Sequence, residues 1–94
     1  MNIRWTEKAA GDVARLHDFL APYNPAVATR NVQALIAAPE RLLAFPRIGE
    51  SLTQYDPREV RRLLIGDYEM RYEIAGDNIY ILRIWHNREQ RQDD

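Results

Sequence analysis

The chain has no cysteine, so it can build neither a disulfide framework nor a thiolate metal site. It also lacks any apolar run near the roughly 20 residues needed to span a bilayer. Its first residues, MNIRWTEKAAGD, spread charge through the stretch where a secretory signal carries an apolar segment. These absences predict a protein of the cytoplasm with no membrane partner. Lysine is nearly missing. Of 13 basic residues 12 are Arg, and Lys8 alone is Lys. Arg favours planar pairing with carboxylates and phosphates and tolerates burial at interfaces. An excess of either charge is missing too. The net charge is −1 and the pI about 6.1, so binding nucleic acid by bulk electrostatics is not expected.

The two histidines, His17 and His86, have no Cys and no paired carboxylate to complete a metal site. No glycine-rich phosphate loop occurs, and Ser51 has no base partner in sequence. No cofactor is expected. What is present is a globular composition: 46% apolar and 29% charged over 94 residues, enough for one domain spanning 1–94 with a true core.

Asn2 to Trp5 reads as a short strand, with Ile3 and Trp5 on one face. Thr6 is a good N-cap, and Ala9, Val13, Leu16 and Leu20 then recur at the spacing of one helix face. Asp12, Arg15 and Asp18 lie off that stripe and are expected to face solvent, as is His17. Pro22 ends the helix. Asn24-Pro25 starts a second one with a buried stripe of Ala28, Val32, Leu35 and Ile36, and Leu42 and Leu43 continue its phase beyond Pro39. At Pro39 the helix either kinks or restarts, reaching about Phe45. The short link between the helices predicts an antiparallel hairpin. Pro46 to Pro57 is a connecting loop, with Ile48 and Leu52 tacking it to the core.

The stretch Val60 to Arg91 then organises the rest. Glu59 to Ile65 reads as a strand, followed by a tight Gly66-Asp67 turn. Tyr68, Met70, Tyr72 and Ile74 alternate with Glu69, Arg71 and Glu73, the pattern of a half-buried antiparallel strand. Ala75 to Asn78 (AGDN) signals a second hairpin. Ile79 to His86 is mostly apolar, as expected of a strand covered on both sides, with Tyr80, Leu82, Ile84 and His86 on one face and Ile79, Ile81, Arg83 and Trp85 on the other. The fold class is therefore α+β, order β-α-α-β-β-β: a helix hairpin packed on a small, mostly antiparallel sheet, whose first strand pairs with a later one.

Arg61, Arg62, Arg71 and Arg83 lie on these strands, and His86, Arg88 and Arg91 follow. A guanidinium cluster with one imidazole could hold a phosphodiester and move protons. Alternatively these Arg pair with Glu59, Glu69, Glu73 and Asp67 across the sheet. Trp5 and Trp85 read as core or interface anchors.

Six segments together resemble the RelE/ParE superfamily of type II toxin–antitoxin toxins: W-T-x-x-A-x-x-D-V (Trp5 to Val13), Asn24-Pro25, F-P-x-x-G (Phe45 to Gly49), V-R-x-L (Val60 to Leu63), Y-E-M-R-Y-E-I (Tyr68 to Ile74) and I-L-R-I-W-H-N-R (Ile81 to Arg88). The resemblance covers nearly the whole chain and implies the same helix hairpin on a small sheet. It implies one of two activities, or else a toxin-fold binding partner that is not toxic. RelE-like members are metal-independent ribonucleases that cut mRNA on the ribosome, which would place Arg61, Arg83 and His86 in catalysis. ParE-like members bind DNA gyrase. Three features point to the ParE side: Glu69 stands where ribonuclease-like sequences carry Arg, no Tyr follows Tyr80, and the chain is not basic. A carboxylate among phosphate ligands would repel the scissile group. The resemblance thus implies a gyrase inhibitor neutralised by a cognate antitoxin in a hetero-oligomer. Its binding surface would draw on Arg61, Arg62, Arg71, Arg83, Trp85, His86 and Arg88, with no catalytic residue favoured.

Overall fold

The computed structural model describes residues 1–89 and 91. The elements run β1 (Asn2–Trp5), α1 (Glu7–Leu20), α2 (Pro25–Ala37), α3 (Glu40–Ala44), β2 (Glu50–Ser51), a 3₁₀ turn (Thr53–Tyr55), β3 (Glu59–Ile65), β4 (Tyr68–Ala75) and β5 (Asn78–His86). They form an α+β fold in which α1 and α2 cover one face of a mixed five-stranded sheet of order β1-β5-β4-β3-β2. Strand β1 pairs parallel to β5, and all other pairs are antiparallel. The short β2 and the 3₁₀ turn are additions to the expected order, and α3 is the helix restart at Pro39 that the sequence left open against a kink.

Local chemistry sets the boundaries. The Thr6 side chain accepts the Ala9 N–H at 3.1 Å and donates to the Ile81 carbonyl at 2.8 Å, so one residue caps α1 and ties it to β5. The Asn24 side chain caps α2 by accepting the Val27 N–H at 3.1 Å, with Pro25 where its missing N–H costs nothing. At Pro39 the helix restarts: α2 ends at Ala37 and α3 begins at Glu40, with Pro39 as its N-cap residue. Each hairpin turn opens with a glycine at positive φ, Gly66 at 56° and Gly76 at 58°, the backbone that a two-residue loop of this kind needs at its first position.

The core lies between hairpin and sheet: Ala9, Leu16, Leu35 and Leu42 meet Leu63, Met70, Tyr72, Ile79, Ile81 and Ile84. Three expected core contacts are absent. Ile36 is 55% exposed and Leu43 is also exposed, because the helical phase carries them past the sheet; Ile48 is exposed, while Leu52 is buried as expected.

The larger correction concerns β5. Register places Tyr72 opposite Ile81 but Arg71 opposite Arg83, so Leu82 is an extra residue in a β-bulge. The bulge resets the alternation. Ile79, Ile81, Ile84 and His86 lie on the helix side with Ile74, Tyr72, Met70 and Tyr68, while Tyr80, Arg83 and Trp85 share the other face. Without it, one strand could not bury both Ile81 and Ile84 against the helices and keep Arg83 out of the core.

Candidate functional site

Register sorts the sheet arginines by face. Arg62, Arg71 and Arg83 share the open face with Glu69 and Trp85. Arg61 lies opposite Tyr72, on the helix side, and His86 lies opposite Tyr68, also on the helix side but at the far end of β4. The residues that the ribonuclease resemblance would place in catalysis are therefore not brought together: Arg83 is separated from Arg61 and His86 by the sheet itself.

Each of the three is committed to a local partner. Arg61 donates to Glu59 at 3.0 Å and to the Gly49 carbonyl at 2.8 Å, pinning the loop before β2. Glu59 is held below the usual carboxylate range, first by its hydrogen bond from Arg47 and then, against desolvation, by Arg61. His86 accepts the Arg88 N–H on Nδ1 at 3.1 Å, so the neutral ring carries its proton on Nε2, and its ring meets Tyr68 edge-on at 5.2 Å between centroids. Arg83 donates to Asp12 at 2.8 Å.

Asp12 is the residue whose expected position is most changed. Instead of facing solvent it is 4% exposed. Strand β1 pairs only as far as Trp5 with Ile81, so the rest of the β5 edge needs other partners. Asp12 accepts the Ile84 N–H at 2.8 Å, and Arg15 donates to the Ile84 carbonyl at 3.1 Å and to Asp12 at 3.1 Å. Two side chains of α1 thus replace the missing strand. The available signal was spacing: Asp12 stands three residues after the buried Ala9 and four before the buried Leu16.

The open face is built around Trp85. The guanidinium carbons of Arg71, Arg83 and Arg91 lie 4.7, 5.0 and 5.0 Å from its ring centroid. Glu69, 2% exposed, sits beside it and pairs with Arg71 at 3.1 Å, Arg91 at 3.1 Å and Arg62 at 3.6 Å. Arg71 also donates to the Tyr55 hydroxyl at 2.8 Å from the 3₁₀ turn, and its Nε is buried with no hydrogen-bond partner among the described residues. The pairing of arginines with acids across the sheet, one of two open readings of the sequence, describes this face. A phosphate entering it would meet the buried carboxylate of Glu69.

A second feature lies on the other side. A groove of about 800 Å³ opens where α1 and α2 diverge from the β3–β4 turn, with Leu16, Phe19, Leu20, Leu35, Ile65 and Tyr68 among its lining and His86, Arg88 and Glu89 at its polar rim. Phe19 at its lip is 71% exposed. Sequence reasoning did not find this groove, because Phe19 lies off the periodic stripe.

The F-P-x-x-G segment also acquires a role. The Tyr72 hydroxyl donates to the Pro46 carbonyl at 2.7 Å and accepts the Gly49 N–H at 3.0 Å, clamping the loop on the sheet. Burial pushes the Tyr72 phenol above the ordinary tyrosine range. The unfolded chain therefore loses this proton first, so the contribution is fully present below about pH 10 and is lost as pH rises through the folded value. Tyr72→Phe should cost about 1–3 kcal/mol at neutral pH by leaving the Gly49 N–H without an acceptor. It should also flatten the alkaline fall in stability, read from urea melts across that range. An unchanged alkaline slope would refute the assignment.

Among the described residues no group of three or more His, Asp or Glu could hold a metal ion, and no helix is long and apolar enough to cross a membrane.

The helix hairpin on a small mixed sheet is a fold also found in a type II toxin–antitoxin system. The family model for the ParE toxin of the type II toxin–antitoxin system parDE matches residues 3–91. The chain belongs to that family. It is 29% identical over 82 residues to Toxin RelE2 of Caulobacter vibrioides, covering 87% of this chain and 90% of that protein. It also superposes with a TM-score of 0.77 on a chain of the chromosomal ParDE TA system from P. aeruginosa, at 27% identity, covering 92% of this chain and 95% of that one.

Proposed function

We propose that this ParE-family toxin, a single domain acting in the cytoplasm, inhibits DNA gyrase by protein–protein binding and is neutralised by a cognate antitoxin within a toxin–antitoxin hetero-oligomer. The observation that carries this reading is the buried Glu69 at the centre of the open-face arginines. It makes that face a poor phosphodiester site, and the arginines that cover the buried Trp85 offer a polar surface suited to a protein partner. A ribosome-dependent ribonuclease would need Arg61, Arg83 and His86 around one phosphate, and the sheet divides them.

The two surfaces suit two partners. The groove behind the hairpin, apolar on its floor and polar at its rim, fits the apolar face of an amphipathic antitoxin helix. The open face, with Arg62, Arg71, Arg83 and Trp85, then serves the target, while Arg88 and His86 border the groove and Arg61 holds the loop. Purified toxin should abolish gyrase supercoiling and trap cleaved DNA, and equimolar antitoxin should restore activity. Undiminished supercoiling at stoichiometric toxin would sink the gyrase reading, and codon-positioned cuts in translated mRNA would replace it with the ribonuclease.

A further inference from the structure

Of the four guanidiniums around Glu69 and Trp85, three stand on strands and one does not. Arg62, Arg71 and Arg83 belong to β3, β4 and β5, whereas Arg91 returns to the face from beyond the end of β5. The strand-borne three have other anchors. Arg62 pairs with Glu50 at 2.7 Å, Arg83 with Asp12 at 2.8 Å, and Arg71 with the Tyr55 hydroxyl at 2.8 Å. Among the described residues Arg91 pairs with Glu69 alone. The two oxygens of Glu69 are divided accordingly. Oε2 takes Arg71 at 3.1 Å, and Oε1 takes Arg91 at 3.1 Å, with Arg62 behind it at 3.6 Å.

We propose that Glu69 Oε1 and the Trp85 ring form a guanidinium-binding slot, filled in the free chain by Arg91, and that its ligand in a complex is an arginine side chain of a partner protein that displaces Arg91. The slot is built to receive this group: a carboxylate 2% exposed supplies the charge, and an indole 5.0 Å from the guanidinium carbon supplies the stacking surface. The present occupant shows that a guanidinium fits with the neighbouring arginines in place. Its departure leaves the strand ladder intact, because the turn after β5 is held separately. There Glu89 accepts the His86 N–H at 3.1 Å and pairs with Arg15. Beside the slot Leu64, directly opposite Glu69 across the strands, is 60% exposed and offers an apolar shoulder to the residues flanking an incoming arginine. An arginine on a partner gains the same ion pair and stacking as Arg91, plus contact with Leu64. The site is independent of whether the target is gyrase.

The test uses full-length toxin carrying Arg91→Ala, and N-acetyl-arginine amide as probe, followed by the Trp85 indole N–H resonance with the Trp5 indole as internal control. A tethered Arg91 competes at an effective concentration on the order of millimolar, so its removal should strengthen probe binding roughly tenfold relative to the unmodified chain. The probe should shift Trp85 saturably and leave Trp5 unmoved. N-acetyl-citrulline amide, of the same shape without the charge, should not shift it. Absence of a Trp85 shift in Arg91→Ala, an equal response to citrulline, or equal affinity with and without Arg91 would each overturn the proposal. Arg91→Gln, which keeps most of the side-chain length, gives the same readout if the alanine variant is poorly folded.

Discussion

Replacing Asp12 with alanine should destabilise the fold by about 3 kcal/mol or more, the cost of taking a buried carboxylate from Arg83 and an acceptor from the strand edge. The loss has three parts. The Arg83 guanidinium, mostly buried over Trp85, loses the Asp12 carboxylate; the Ile84 N–H loses its acceptor; and Arg15 loses the neighbour on α1 that steadies it against the Ile84 carbonyl. Asp12→Asn separates them. The amide oxygen can still accept from Ile84, so the hydrogen bond survives while the charge does not, and the expected cost falls to roughly half. Urea denaturation of both variants measures this. Equal stability of Asp12→Ala and the unmodified chain would show that Asp12 does not cap the β5 edge. A surface carboxylate, which the helix pattern alone suggests, would change stability by no more than about 0.5 kcal/mol.

Gly49→Ala should cost at least as much, by a different mechanism. A Cβ on Gly49 would lie 2.5 Å from the Arg62 carbonyl oxygen and 2.7 Å from the Tyr72 hydroxyl oxygen. The first is backbone of β3, and the second is held between Pro46 and Gly49, so neither yields without breaking a hydrogen bond. The loop must lift from the sheet, which exposes the Tyr72 hydroxyl and releases Arg61 from the Gly49 carbonyl. About 3 kcal/mol is expected from overpacking together with the lost buried bonds. In the Tyr72→Phe background the same substitution should cost measurably less, because the hydroxyl clash and both hydroxyl bonds are already gone, while the Arg62 carbonyl and the ring Cε1 at 2.9 Å remain in the way. Full additivity in that double-mutant cycle would refute the clamp.

Both predictions fall on residues whose role a linear reading misplaces or leaves blank. The alternation of Tyr68, Met70, Tyr72 and Ile74 was legible because a strand half-buried against helices must repeat with period two. The helix caps at Thr6 and Asn24 were legible because they satisfy local backbone donors. The site was legible only as a roster. Arg62, Arg71, Arg83 and Trp85 are visible as residues, but their common face depends on the bulge at Leu82, which one apolar residue in an apolar run does not announce. Arg61 and His86 lie off that face because cross-strand register, set by two turns, puts them on the helix side.

The sequence by itself determined the main helices and strands, their order and the family, since periodicity, caps, turn glycines and ordered motifs are local properties of the chain. Tertiary structure decided which charges are buried and with whom. Asp12 meets Arg83 across 71 residues, and Arg61 and Gly49 close a loop through a backbone carbonyl. An ion pair forms where two distant elements happen to bring donor and acceptor within reach, and that distance is fixed by packing and register, which no local pattern encodes.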